Sequence, residues 1–76
     1  MNKAKWTKPD VPLEMLALKL VEEVGEVAKE ITNEGMLFGG NPTSEMSQMF
    51  RNHAVRELEH VEFIAKTLRR RIRDLK

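Results

Sequence analysis

LALKLVEEVGEVAKEI, residues 16–31, is the stretch on which the reading of the whole chain turns. Leu16, Ala17, Leu20, Val21, Val24, Val27, Ala28 and Ile31 recur at the three-and-four spacing of one helical face, so the segment is an amphipathic helix. Glu23 follows Leu16 by seven positions and Leu20 by three, and precedes Val27 by four, which puts it at the edge of that apolar stripe. Glu26 and Glu30 continue along the same side. Carboxylates three or four residues apart on a helix project the same general way, the spacing by which one helix offers two oxygen ligands to a hard cation. A Glu-x-x-Glu alone is most often a solvated acidic face. What gives this one weight is the second helix.

Upstream, residues 1–11 carry lysines, Trp6 and Pro9, with Pro12 next. Proline lacks an amide donor and restricts the residue before it, so 1–11 reads as an extended arm, with Trp6 docked in a hydrophobic groove of the protein's own oligomer. Pro12 suits a first helical turn, and the first helix is expected over 12–34, ended by Gly35. Gly25 inside it costs about 1 kcal/mol relative to alanine, which suggests a place where a ligand or a second backbone comes close, or else a tolerated defect. Downstream, 35–42 forms a connection whose Met36, Leu37 and Phe38 call for apolar cover, as a lid or against a neighbouring subunit, with Gly39 and Gly40 as a hinge.

From 43 to 76 nothing interrupts a helix, so one long helix of about 50 Å is expected at 1.5 Å per residue. Its apolar stripe runs Met46, Met49, Phe50, Ala54, Leu58, Val61, Ile64, Ala65, Leu68, Ile72, Leu75, and Glu57 falls in the middle of it. His53 and His60 flank that glutamate, four residues before and three after. A lone flank histidine is commonly just bonded to a neighbour. A carboxylate centred on a core face is different, because left buried and unpaired it costs several kcal/mol. If the two helices pack face to face, Glu57 and His60 meet Glu23 and Glu26, giving an oxygen-rich cation site inside a helix bundle. Glu59 and Glu62 point away as solvent-facing charge.

LVEEVGEVAKEI resembles the first signature of the all-α nucleoside triphosphate pyrophosphohydrolases, the MazG-like proteins and dimeric dUTPases, whose pattern is Glu-Glu-x-x-Glu followed on the next helix by Glu-x-x-Asp. Glu22, Glu23 and Glu26 match the first signature, and Glu57-Leu-Glu-His60-Val aligns with the second, with His60 where the family has aspartate. The resemblance covers both helices and leaves out the arm and the connection. It implies an all-α fold in which two long antiparallel helices per chain form a four-helix bundle by dimerisation. It also implies hydrolysis of a nucleoside triphosphate at the α-β phosphate bond, giving a monophosphate and pyrophosphate, with Mg²⁺ held by helix carboxylates. The residues so implicated are Glu23, Glu26, Glu57 and His60 on the metal, Glu22 as the catalytic group orienting water, and Lys19 and His53 toward the substrate, the plainer alternative for Lys19 being a pair with Glu23 four residues on. Imidazole suits Mn²⁺ or another transition ion better than Mg²⁺, so His60 points to a different cation or to a degenerate site.

Composition sets the remaining bounds. At 76 residues the chain is a single small domain, marginal alone, and it contains no cysteine, so disulfides and thiolate chemistry are excluded. No stretch reads as a signal sequence or membrane span, so a cytoplasmic protein without a membrane partner is expected. Two helices cannot cover both apolar stripes, so a homodimer or homotetramer is expected. The net charge of +1 conceals a basic end made by Lys66, Arg69, Arg70, Arg71, Arg73 and Lys76. These residues support an alternative reading as a degenerate helical interaction module. No base-reading motif accompanies them, and cations near a helix C-terminus are favoured by its dipole, so nucleic acid is not the expected partner.

Overall fold

The structure, a computed structural model, describes residues 1–32 and 45–75, the side chains of 45–47 excepted. It contains a one-turn helix α1 (Lys3–Trp6), a long helix α2 (Leu13–Glu30) and a longer one, α3 (Glu45–Arg73), with no strand among the described residues. Leu16 packs with Ile64, Glu23 faces His60 and Glu30 faces His53, so α2 and α3 run antiparallel. The molecule is elongated, 50 × 18 × 17 Å. No helix among the described residues is long and apolar enough to cross a membrane.

Pro12 caps α2 in an extended conformation and its carbonyl accepts from Met15 and Leu16 at 3.1 and 3.2 Å, so the helix opens one residue after the proline. At the other end the Ile31 amide donates to Ala28 and Val27, and the Thr32 hydroxyl folds back to the Ala28 carbonyl at 2.9 Å. The sequence places the helix end at 33–35, which lies outside the described residues, as do the Met36–Phe38 connection, the Gly39-Gly40 hinge and the side chain of Met46.

The extended arm is corrected by α1. Asn2 caps this turn, its Oδ1 accepting from the Lys5 amide at 3.4 Å, and the Thr7 hydroxyl closes it on the Ala4 carbonyl at 3.0 Å. Pro9 restricts only its immediate neighbour Lys8, and so leaves residues 3–6 free to coil. Trp6 docks, but against its own chain: with Leu16 and Ile64 it forms the core, bordered by Val11, Leu13, Leu20, Phe63 and Leu68. The Lys5 and Lys19 ammonium groups sit 5.0 and 5.4 Å from its ring, and Lys3 lies 5.4 Å from the Phe63 ring. The Lys19–Trp6 and Lys3–Phe63 contacts join this turn to the two long helices, whereas Lys5–Trp6 lies within the turn.

The face that α2 presents to α3 takes only one edge of the apolar stripe read from spacing, Leu16 and Val27 with half-buried Leu20. Buried on α2 are Leu16, Glu23, Val27 and Glu30, whereas Ala17, Val21, Val24, Ala28 and Ile31 remain exposed, Val21 at 69%. Residues 16, 23 and 30 recur every seven positions and so line one seam; the β-branched stripe lies roughly a quarter-turn or more round the helix. On α3, Ala54 and Ile64 are buried while Leu58, Ala65 and Ile72 are exposed. An open groove of about 490 Å³ lined by Leu20, Ala65, Leu68 and Ile72 belongs to this uncovered side.

Candidate metal centre

Glu23 lies at the middle of the α2–α3 seam, only 5% exposed. Its Oε1 is paired with the Lys19 ammonium at 3.1 Å, one turn earlier on the same helix. Its Oε2 lies 3.6 Å from His60 Nδ1, and the same nitrogen is 3.8 Å from Glu57 Oε2. Both separations exceed a hydrogen bond. An ion about 2.1 Å from each of its ligands holds them roughly 3 to 3.5 Å apart, so a small closure of these side chains completes a cradle. Glu23, Glu57 and His60 bring one ligand atom each within 4.8 Å of one another.

Electrostatics keep this carboxylate ionised. Burial alone would raise the Glu23 carboxyl; the hydrogen bond and the positive charge of the Lys19 ammonium outweigh it and hold the group below the usual carboxylate range. Lys19 is the mirror case. Desolvation would lower its ammonium, but hydrogen bonds and attraction from Glu23 and Glu22 raise it above the usual lysine value. Lys19 thus stands where a cation is wanted. It is a half-buried counter-ion, set between two glutamates and the Trp6 ring.

Of the residues singled out in the sequence, the fold brings Glu23, Glu57, His60 and Lys19 together. Glu22 is exposed at the rim, its Oε1 3.2 Å from Lys19. Glu26 is exposed and belongs to neither carboxylate–imidazole group found among the described residues. His53 stands further along the seam, about half exposed, with Nδ1 2.9 Å from Glu30 Oε1. Glu30 is 7% exposed and forms, with His53 and Glu57, a second group of ligand atoms within 4.8 Å. Spacing alone sets Glu30 on the acidic side of the helix without assigning it to the site. The signal that finds it is the seven-residue repeat Leu16, Glu23, Glu30, which marks the seam better than the valines do.

Gly25 is exposed, and a methyl group added to it would meet nothing within 4 Å. Arg71 is half-buried, unlike Arg69, Arg70 and Arg73, which are exposed on the basic end of α3. Comparison with known proteins finds no matching family model, no similar curated protein and no similar solved structure.

Proposed function

We propose that this chain is a metal-dependent nucleoside triphosphate pyrophosphohydrolase, with its cation between α2 and α3 on Glu23, Glu57 and His60. The observation that supports it best is the burial of Glu23 opposite Glu57 and His60, ligand-type atoms within 4.8 Å of one another at a helix seam. Its resemblance to the MazG-like signatures supplies the reaction. A divalent cation there would polarise a phosphoryl oxygen and favour deprotonation of a water molecule. The chain's own groups do the rest. Glu22, exposed beside the cradle, would orient the water and take its proton, and the Lys19 ammonium, between Glu22 and Glu23, would supply positive charge to the phosphates. Hydroxyl is added to one phosphorus of the α-β anhydride and the proton goes to the departing phosphate, so the products are a nucleoside monophosphate and pyrophosphate. Glu26, exposed one turn beyond Glu22, would join the cation side only through bound water or substrate.

The active form is a homodimer whose α2 and α3 helices make a four-helix bundle. The uncovered Val21, Val24, Ile31, Leu58 and Ile72 support this, since one face of a small protein rarely leaves so much apolar surface in water. A pyrophosphate-release screen over nucleoside triphosphates with Mg²⁺ and Mn²⁺ tests the reading. Release that needs metal and is lost in Glu23→Gln is expected, with His60→Asp shifting preference toward Mg²⁺. No release with any triphosphate, in a protein that binds the metal, would overturn the hydrolase and leave the cation site standing.

A further inference from the structure

In the sequence the basic end of α3 is charge alone; the fold adds to it. Residues 1–12 and 63–76 hold nine of the thirteen basic residues and two of the twelve acidic ones, a surplus of seven positive charges. Packing of Trp6 against Ile64 brings the first of these segments onto the second, and the Lys3 ammonium comes to lie 5.4 Å from the Phe63 ring. One pole of the hairpin is thereby basic, and the carboxylates of the seam lie outside it. Along this pole α3 carries a groove of about 340 Å³ lined by Phe63, Lys66, Thr67, Arg69, Arg70 and Arg73. Thr67 is buried, its hydroxyl donating to the Phe63 carbonyl at 2.9 Å, whereas the four cations are exposed. Among the described residues only Arg73 of these four has a carboxylate within 4 Å, that of Asp74 at 3.7 Å, and so exposed a pair holds its partners weakly.

From this groove we infer a site for single-stranded nucleic acid, its phosphates on Lys66, Arg69, Arg70 and Arg73 and one base against Phe63. Lys66 and Arg73 are seven residues apart, about 10.5 Å along the helix axis, which is too long for one phosphate group and spans about three nucleotide steps of 3.4 Å. A basic groove beside an aromatic face is the arrangement by which proteins hold single strands without reading their sequence, so the absence of a base-reading motif is no obstacle. The Phe63 ring is half-buried and already faces a cation, Lys3, whose exposed side chain gives way to a base or meets its phosphate. An anionic membrane fits less well, because the apolar residues beside the groove, Leu68 and Ile72, belong to the flank that the proposed dimer covers. An internal phosphodiester has no anhydride bond, so a strand held here is a ligand and not a substrate of the seam. The site therefore stands or falls independently of the hydrolase.

Fluorescence anisotropy of a labelled oligothymidylate of about 12 nucleotides, titrated with the full chain in the presence of a chelator, tests the proposal without calling on a cation in the seam. Binding at low salt is expected, with log affinity falling against log salt at a slope of about −3, roughly 0.7 for each of four phosphates. Arg70→Gln with Arg73→Gln should weaken it at least tenfold and take about 1.4 from that slope. Phe63→Leu should weaken binding at least fivefold with the slope unchanged, because it removes stacking and leaves the charge. Arg56→Gln, an exposed arginine outside the groove, should have little effect. Circular dichroism verifies that Phe63→Leu is helical, and the arginine changes, all at exposed positions, test the site whether or not it is. No binding at low salt would overturn the inference. So would a loss in Arg56→Gln as large as in the double variant, or duplex DNA bound as tightly with Phe63→Leu indifferent, since either would reduce the pole to unselective charge. Preference for phosphatidylserine vesicles over the strand would overturn it in favour of a membrane surface.

Discussion

Glu23 and Lys19 pair at 3.1 Å across one turn of α2. Glu23 has its carboxyl held below the usual range in the fold, so its contribution is present above the unfolded-state value and is lost as pH falls through the lowered one. Lys19 has its ammonium raised, so its contribution is present below the unfolded-state lysine value and is lost as pH rises through the raised one. Stability should therefore stay level through neutral pH and fall in acid and in strong alkali. Lys19→Gln removes the counter-ion and leaves a buried carboxylate, costing the fold about 1.5–3 kcal/mol without added metal, the worth of a hydrogen bond to a charged group. The same change should raise Mn²⁺ affinity, because the ion no longer displaces an ammonium from Glu23. Thermal melts with and without Mn²⁺ check both halves: destabilisation that persists unchanged in saturating metal would mean that Lys19 and the ion do not compete.

The helices are legible in the sequence because each is long and amphipathic, and periodicity reports such elements well. Less legible is which face meets which. The valine-rich side of α2 has the greater apolar content, yet the seam with α3 runs through Leu16, Glu23, Val27 and Glu30, because its carboxylates have partners within the protein, Lys19 at 3.1 Å for Glu23 and His53 at 2.9 Å for Glu30. A hydrophobicity pattern cannot register that compensation. It therefore leaves Glu23 on an edge and Glu30 out of the site. The arm misleads for a related reason: prolines set the expectation for eleven residues, while the Asn2 cap and the Trp6 anchor govern the first six. Trp6→Ala should strip α1 from the hairpin and cost about 3 kcal/mol or more, the usual loss for a buried aromatic, visible as a lowered Tm. Gly25→Ala should instead stabilise by about 0.5–1 kcal/mol, since the added methyl group meets open space on a helical backbone. A Gly25→Ala variant that destabilises would place a partner's backbone against that turn.

The hairpin as a whole buries a small core at the Trp6 end and a polar seam in its middle, and leaves an apolar flank uncovered. In the proposed dimer that flank becomes the bundle interior. Val24→Glu, a charge placed among Val21, Ala28 and Ile31, should shift light scattering from dimer to monomer, and a wild type that is already a stable monomer at micromolar concentration would remove the bundle. The basic end of α3 stands apart from the seam in this account. Arg70→Gln with Arg73→Gln should leave KM for a triphosphate nearly unchanged at low salt, and a large rise would show that these guanidinium groups reach the phosphates. All of this turns on whether the seam holds a cation, and a metal-dependent thermal melt asks that directly. Wild type should gain about 2.7 kcal/mol at a hundredfold excess of Mn²⁺ over its dissociation constant. Glu59→Gln, on an exposed position, should gain as much, and Glu57→Gln should gain little. Melts indifferent to both Mn²⁺ and Mg²⁺ in the wild type, with Glu57→Gln and Glu59→Gln behaving alike, would contradict the account.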